Sequence, residues 1–394
     1  MIFGDPAGAS EDYVRESDIG LDDTVLSDPE RLTRAGGDLL ESVASAGAHV
    51  RSALAEIDHD LIAAIVRRGR PRAVVFVGAG GSSAAGEIVV ACAGRGSAIP
   101  LFTTGGPGLP GWIGALDLVV VISAAGSSPE VLLAVAEAGR RGAHVVGVGG
   151  GGPLEAAVAR VRGDYFGLGR VSGPVLARAL TWRLAVPLLL LAQQLGLIAG
   201  DVGVIAAAAD ELDASTHANG PGVTPGHNVA AAVALLAAQG LPLAWGTPDV
   251  PSAVSRRAVR QFAETAGLPA IAGAFPEVMR THARVLAGGW GAPEADFFRD
   301  RVLSPGPHPR PHLVVLRDDS ADDLSADLAS AAVEVATAAA TAVITLDGGS
   351  GHPLLRYARI SQPLDLAGLY AAATLGVDPM DTAAALHPQL QTGG

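Results

Sequence analysis

Residues 73–83 read Ala73-Val74-Val75-Phe76-Val77-Gly78-Ala79-Gly80-Gly81-Ser82-Ser83. A run of apolar residues, mostly β-branched or aromatic, passes directly into glycine and serine, and a helix-like segment follows. Such a run predicts a buried strand that opens onto a βα loop. A loop of this composition brings backbone N–H groups, hydroxyls and a helix N-terminus to one point, where an anion or sugar oxygens can sit. A second version occupies 117–130, with Asp117-Leu118-Val119-Val120-Val121-Ile122 leading into Ser123-Ala124-Ala125-Gly126-Ser127-Ser128-Pro129-Glu130. Two such loops in one α/β domain point to a small phosphorylated ligand.

Outward from these loops, the spacing predicts alternating elements. They are strand 73–77, helix 83–93, strands 98–102 and 117–122, helix 129–141, strand 144–148, helix 153–161, strand 164–168 and helix 174–195. Apolar strands between amphipathic helices indicate a parallel sheet covered on both faces, with ligands bound beyond the carboxyl ends of the strands. An acidic, aperiodic stretch at 1–30 is expected to be flexible, and one helix is expected over 31–58. The Gly- and Pro-rich segment 215–226 is the expected linker between a first domain at 31–214 and a second at 227–394. The second series comprises helix 227–239, strand 242–246, helix 251–266, strands 269–273 and 312–316, helix 325–340, strand 342–346, helix 352–374 and a short C-terminal helix. It reads as a diverged copy of the first, with a surface loop at 285–311.

The 394 residues fit two domains rather than one core. The composition is 49% hydrophobic, with mean hydropathy +0.36, which describes compact, well-buried structure. Net charge is −13 without a long basic run, which argues against nucleic-acid binding. All 27 basic residues are Arg, so lysine Schiff-base chemistry and a P-loop lysine are excluded. The single Cys92 gives no disulfide framework, and a reducing, cytoplasmic setting is expected. The apolar run Leu184 to Ala192 is shorter than the ~20 residues of a spanning helix, so it reads as a buried helix and no membrane association is expected. No Cys-containing ligand cluster accompanies the histidines, and no metal or cofactor is expected. A dinucleotide fits poorly. Ser83 stands where the third glycine belongs, and the strand ending Phe102-Thr103-Thr104 carries no acidic residue for a ribose.

The chain resembles the two-domain sugar isomerase (SIS) proteins, and within them the bifunctional phosphoglucose/phosphomannose isomerases. That family carries Gly-x-Gly-Gly-Ser after its first strand and Ser-Tyr-Ser-Gly-Asn-Thr-x-Glu after its third. Here Ser123, Gly126 and Glu130 match the second motif, Ser128 stands for the Thr, and Ala125 replaces the middle Ser. The resemblance spans about residues 70–390. Leu176-Ala177-Arg178-Ala179-Leu180 is similar to the family's Pro-Arg-Ala-Ala-Leu, and Arg256-Arg257 precede Glu264 as in the family's Arg-rich helix. Pro276-Glu277 follows at the family spacing, and the region from Pro353 to Pro379 resembles the family C-terminus.

The resemblance implies two flavodoxin-like SIS domains and a homodimer with composite sites. It implies a phosphosugar held on Gly80, Gly81, Ser82, Ser123 and Ser128, with Arg178 facing the ligand and Glu264 as catalytic base. Glu264 also fits on its own terms. It lies in the last turn of its helix, where the helix dipole raises a carboxyl pKa and poises it for proton abstraction beside a carbonyl. The family's ring-opening histidine falls on Arg280, with His282 two residues on, and its C-terminal lysine falls on His387. The implied activity is metal-independent interconversion of glucose or mannose 6-phosphate with fructose 6-phosphate. The substitutions leave open an alternative, a phosphosugar-binding sensor without turnover.

Overall fold

The computed structural model describes residues 21–171, 175–286 and 310–381. Three helices lead into the first sheet: α1 (Pro29–Ala44), α2 (Ala46–Glu56) and α3 (His59–Val66). The first two replace the single helix expected over 31–58, and α3 follows it. The Asp58 carboxylate caps α3 by accepting from Leu61 N–H, which ends one helix and starts the next. The acidic lead-in is anchored from residue 22 onward rather than flexible to 30. Asp22 N–H donates to Thr374 O at 3.0 Å, and Val25 and Leu26 are buried.

The first sheet comprises β1 (Val74–Gly78), β2 (Leu101–Thr104), β3 (Leu118–Ser123), β4 (His144–Gly149) and β5 (Asp164–Gly167). All pairs are parallel and the order is β2-β1-β3-β4-β5. Helices α4 (Ser83–Ala93), α5 (Pro129–Arg140), α6 (Pro153–Arg160) and α7 (Ala177–Gln194) complete the crossovers. The strand β2 begins at Leu101 rather than 98. Pro100 has no N–H to donate, and its carbonyl accepts from Val74 N–H to open the ladder.

An unexpected helix, α8 (Val202–Ala218), connects the halves and runs four residues into the segment read as a linker from 215. Its buried residues Ile205, Ala208, Ala209 and Leu212 follow one helical face. The second half contains α9 (Val229–Ala238), β6 (Leu241–Gly246), α10 (Val250–Ala266), β7 (Ile271–Ala274), α11 (Val278–Thr281), α12 (Ala283–Leu286), β8 (Pro311–Arg317), α13 (Asp323–Ala338), β9 (Val343–Asp347) and α14 (Pro353–Thr374). Its sheet is also parallel, in the order β7-β6-β8-β9. That repeats the first four positions of the first sheet. Val285 and Leu286, read as the start of a surface loop, close α12 instead, and residues 287–309 lie outside the described residues.

Strand alternation divides the core. Val74, Phe76, Val120 and Ile122 face a central helical layer, while Val75, Val77, Val119 and Val121 face α5 and α6. In the second sheet Val314 and Leu316 face the same central layer, and Leu313, Val315 and Trp245 face α13. One apolar cluster therefore runs from the inner face of one sheet to the inner face of the other. The helices α7 and α14 lie within it, apolar almost all round, as expected of helices with no solvent face. No helix among the described residues is long and apolar enough to cross a membrane.

Candidate functional site

The carboxyl ends of β1 and β3 are neighbours in the sheet, at the point where strand order reverses. The loop after β1 turns through Gly80 at φ +50°, and a short 3₁₀ turn spans Gly80–Ser82 before α4. Ser83 Oγ donates to Gly80 O at 2.9 Å and closes this turn. The loop after β3 turns at Gly126, φ +69°. Ser123 Oγ lies 2.9 Å from Ser128 Oγ and accepts from Gly126 N–H at 3.1 Å. Ala124 N–H donates to Ser82 Oγ at 3.3 Å, which ties the two loops together.

The hydroxyls of Ser82 and Ser123, expected to face a ligand, are thus both engaged in bracing the loops, and both residues are buried. Ser128 is half-buried, and Ala125 is exposed at the loop tip. Gly126 has no room to be anything else. A Cβ there would lie 2.2 Å from Gly151 O. Gly126→Ala is expected to lower stability by about 1–3 kcal/mol through a left-handed backbone strained by a clash, measured by urea unfolding.

Arg178 and Glu264 come to this loop from different halves of the chain. A Cβ placed on Gly81 would stand 3.0 Å from Arg178 N, so the loop packs on the first turn of α7. A Cβ on Gly80 would stand 3.6 Å from Glu264 Oε1. The Gly80 turn thus lies directly beside that carboxylate. Burial pushes the Glu264 carboxyl above the ordinary range, opposed by the positive charges of Arg178, Arg260 and Arg257. The direction is the one expected from the position of Glu264 at its helix end, but its first cause is burial. Arg178 is itself buried. Burial lowers its pKa, and the charge of Glu264 opposes that. Its Nη2 donates to Pro379 O at 2.7 Å, and its Nε has no protein acceptor among the described residues.

Two further pairs hold the frame. Arg260, one turn before Glu264 on α10, forks onto Glu87 of α4 at 2.8 and 2.6 Å. Glu87 Oε1 also accepts from Ser83 Oγ at 3.3 Å, so the clamp links the Gly80 loop to the helix carrying Glu264. Arg257 pairs with buried Asp365 of α14 and donates to Thr181 Oγ1 of α7 at 3.0 Å. The sequence reading singles out Arg256 and Arg257 of α10 but neither Arg260 nor these partners. The available signal was the spacing of Arg257, Arg260 and Glu264 at i, i+3 and i+7, which is one helical face.

His282 does not join this group within the chain. It caps the one-turn helix α11 and stacks near Trp245, with ring centroids 6.3 Å apart. Trp245 belongs to the outer cluster of the second sheet, whereas Glu264 sits on the inner side, on α10. His387 lies outside the described residues. Arg280 makes an exposed contact with Glu277 at 3.6 Å. Among the described residues, no three His, Cys, Asp or Glu side chains converge as a metal site would require.

Residues 226–386 match the family model of the bacterial phospho-glucose isomerase C-terminal SIS domain. No curated protein sequence matches the chain. Among solved structures, a hypothetical protein from Thermus thermophilus aligns with TM-score 0.59 at 16% identity, covering 94% of this chain and 98% of that one. The C-terminal domain of glucosamine-fructose-6-phosphate aminotransferase from Francisella tularensis aligns with TM-score 0.58 at 13% identity, covering 87% and 97%. A protein named as a candidate phosphosugar isomerase from Silicibacter pomeroyi aligns with TM-score 0.60 at 20% identity, covering 87% and 99%. At these identities the structural likeness establishes the fold. The chain therefore has a fold of two SIS-like α/β domains, and the part that matches the bacterial phospho-glucose isomerase C-terminal SIS domain is residues 226–386.

Proposed function

We propose that this chain is a metal-independent aldose–ketose isomerase of hexose 6-phosphates, interconverting glucose or mannose 6-phosphate with fructose 6-phosphate. The observation that carries the reading is the Glu264 carboxyl. It is raised above its ordinary pKa by burial and lies beside the Gly80 turn. Isomerisation requires one group to take the proton from C2 of the open-chain aldose and return it to C1. A carboxyl whose pKa is raised toward neutrality suits both transfers. Arg178, permanently charged and buried nearby, would stabilise the negative charge of the enediolate between the two steps. The sugar phosphate would sit on the Gly80–Ser83 and Ser123–Ser128 loops, at the N-termini of α4 and α5. On this reading, ring opening falls to His282 or His387.

A second reading, a phosphosugar sensor without turnover, is favoured by the position of His282 beside Trp245 and by the engaged hydroxyls of Ser82 and Ser123. One experiment separates the two. Purified protein is incubated with mannose 6-phosphate in D₂O, with chelator present, and both fructose 6-phosphate and C2 deuterium are followed by NMR. Turnover with exchange is the expected result. Binding without exchange leaves the sensor and ends the isomerase reading.

A further inference from the structure

We infer that the amino-terminal edge of the first sheet carries a second anion site. It would take a phosphorylated ligand of nucleotide size with an apolar or planar body. A groove of about 520 Å³ lies there, lined by Arg68, Arg70 and Arg162, with His144 and Leu116. Leu118, at the start of β3, also lines it, whereas Ser123 at the other end of β3 belongs to the candidate active site. The two sites are thus separated by roughly 17 Å along the strand.

The charge of the groove is opposite to that of the molecule. Three arginines line it, in a chain of net charge −13, with Arg70 Nη2 donating to Gly196 O at 3.3 Å. The one carboxylate in the lining, Asp117, is buried and already spent. It accepts from Arg72 Nε at 2.9 Å, from Arg72 Nη2 at 2.6 Å and from Gly114 N–H at 2.8 Å. Asp164, beside the groove, holds His144 Nε2 at 2.7 Å and Arg68 Nη2 at 3.3 Å, which fixes both side chains without closing the space. Leu116 is 70% exposed and offers an apolar wall.

Arg162 supplies the second, independent observation. It occupies the left-handed position that terminates α6, at φ +57°. Its N–H donates to Ala159 O, and Gly163 N–H donates to Val158 O. After α5, α7, α10 and α14 the corresponding positions are Gly142, Gly196, Gly267 and Gly376, with φ between +65° and +71°. Among the described residues only Ala340, after α13, shares the departure from glycine. A non-glycine residue held in this conformation is strained, and here that residue is an arginine lining the groove. Phosphate recognition by several arginines at once would give a charged residue a use at a position where glycine would be relaxed.

The test uses isothermal titration of the full-length protein with ADP and with inorganic pyrophosphate at low ionic strength. Arg162→Gly removes the guanidinium and relaxes the backbone, so its melting temperature should equal or exceed that of wild type. Wild type should bind both probes, and Arg162→Gly should weaken binding by on the order of tenfold. Adding Arg70→Ala should weaken it further. Arg178→Ala, at the other end of the sheet, should leave binding unchanged. Failure of wild type to bind either probe, or equal binding by the Arg70→Ala, Arg162→Gly double variant, overturns the proposal. Loss of binding in Arg178→Ala alone moves the anion to the Gly80 loop and overturns it equally.

Discussion

Glu264→Gln is expected to lower isomerase turnover and C2 deuterium exchange by about 10²–10⁴-fold while leaving sugar-phosphate affinity within a few-fold. The amide keeps the shape and the hydrogen-bonding reach of the carboxylate but cannot take a proton. Affinity rests on the loops after β1 and β3, which the substitution does not touch. The same carboxyl dictates the pH profile. The base must be ionised, and burial raises its pKa above the ordinary glutamate value of about 4.3. Acid inhibition of kcat/KM should therefore set in at a higher pH than an exposed glutamate would give.

The sign for stability is opposite to that for activity. A carboxyl with a raised folded pKa holds its proton more tightly folded than unfolded. Its contribution to stability is present below the unfolded pKa and is lost as pH rises through the folded one. At pH 7 the neutral glutamine should then leave the protein at least as stable as wild type. Steady-state rates with thermal melts at pH 6 and pH 8 check both signs. Turnover within tenfold of wild type would remove Glu264 from the chemistry.

The parts of this molecule that were legible in the sequence are those fixed by local pattern. The apolar run Val74–Val77 into Gly78-Ala79-Gly80-Gly81 specifies strand, loop and helix within a dozen residues, and the topology built on it repeats in both halves. Errors appear where a local rule was overlooked or the contrast is weak. Pro100 and Pro269 lack the N–H that would extend β2 and β7 toward their expected starts. In α8 the run Ala206–Ala209 offers little polar contrast, so its helical period is faint.

The site was legible only in its ingredients. Gly80, Arg178 and Glu264 were each singled out, but their meeting depends on α10 packing across α4. The clamp that holds it, Arg260 to Glu87, joins residues 173 apart in sequence. His282 illustrates the converse. It lies two residues from the position of interest, yet Trp245 and Phe275 anchor its segment on the outer face of the second sheet.

Asp365→Ala is expected to destabilise the protein by about 3–5 kcal/mol, the largest effect of any single side chain considered. Arg257 and Asp365 are 4% and 2% exposed. The guanidinium forks onto the carboxylate with Nε at 3.0 Å and Nη2 at 2.7 Å, and its Nη1 donates to Thr181 Oγ1. Truncating Asp365 would leave a permanent charge without its hydrogen-bonded partner in the apolar layer between the sheets. Arg257→Met with Asp365→Leu removes both charges and fills a similar volume, so the double variant should recover most of the loss. Urea unfolding of the two singles and the double should give a coupling of at least about 2 kcal/mol. Additive losses would mean that the pair does not act as a unit.

The cycle also reads on activity. Thr181 is three residues beyond Arg178 on α7, and Arg257 is seven before Glu264 on α10. The hydrogen bond between them sets the register of the two helices that bring Arg178 and Glu264 to the loop. The double variant should therefore regain stability more fully than turnover, because it restores the packing of the layer without restoring that bond.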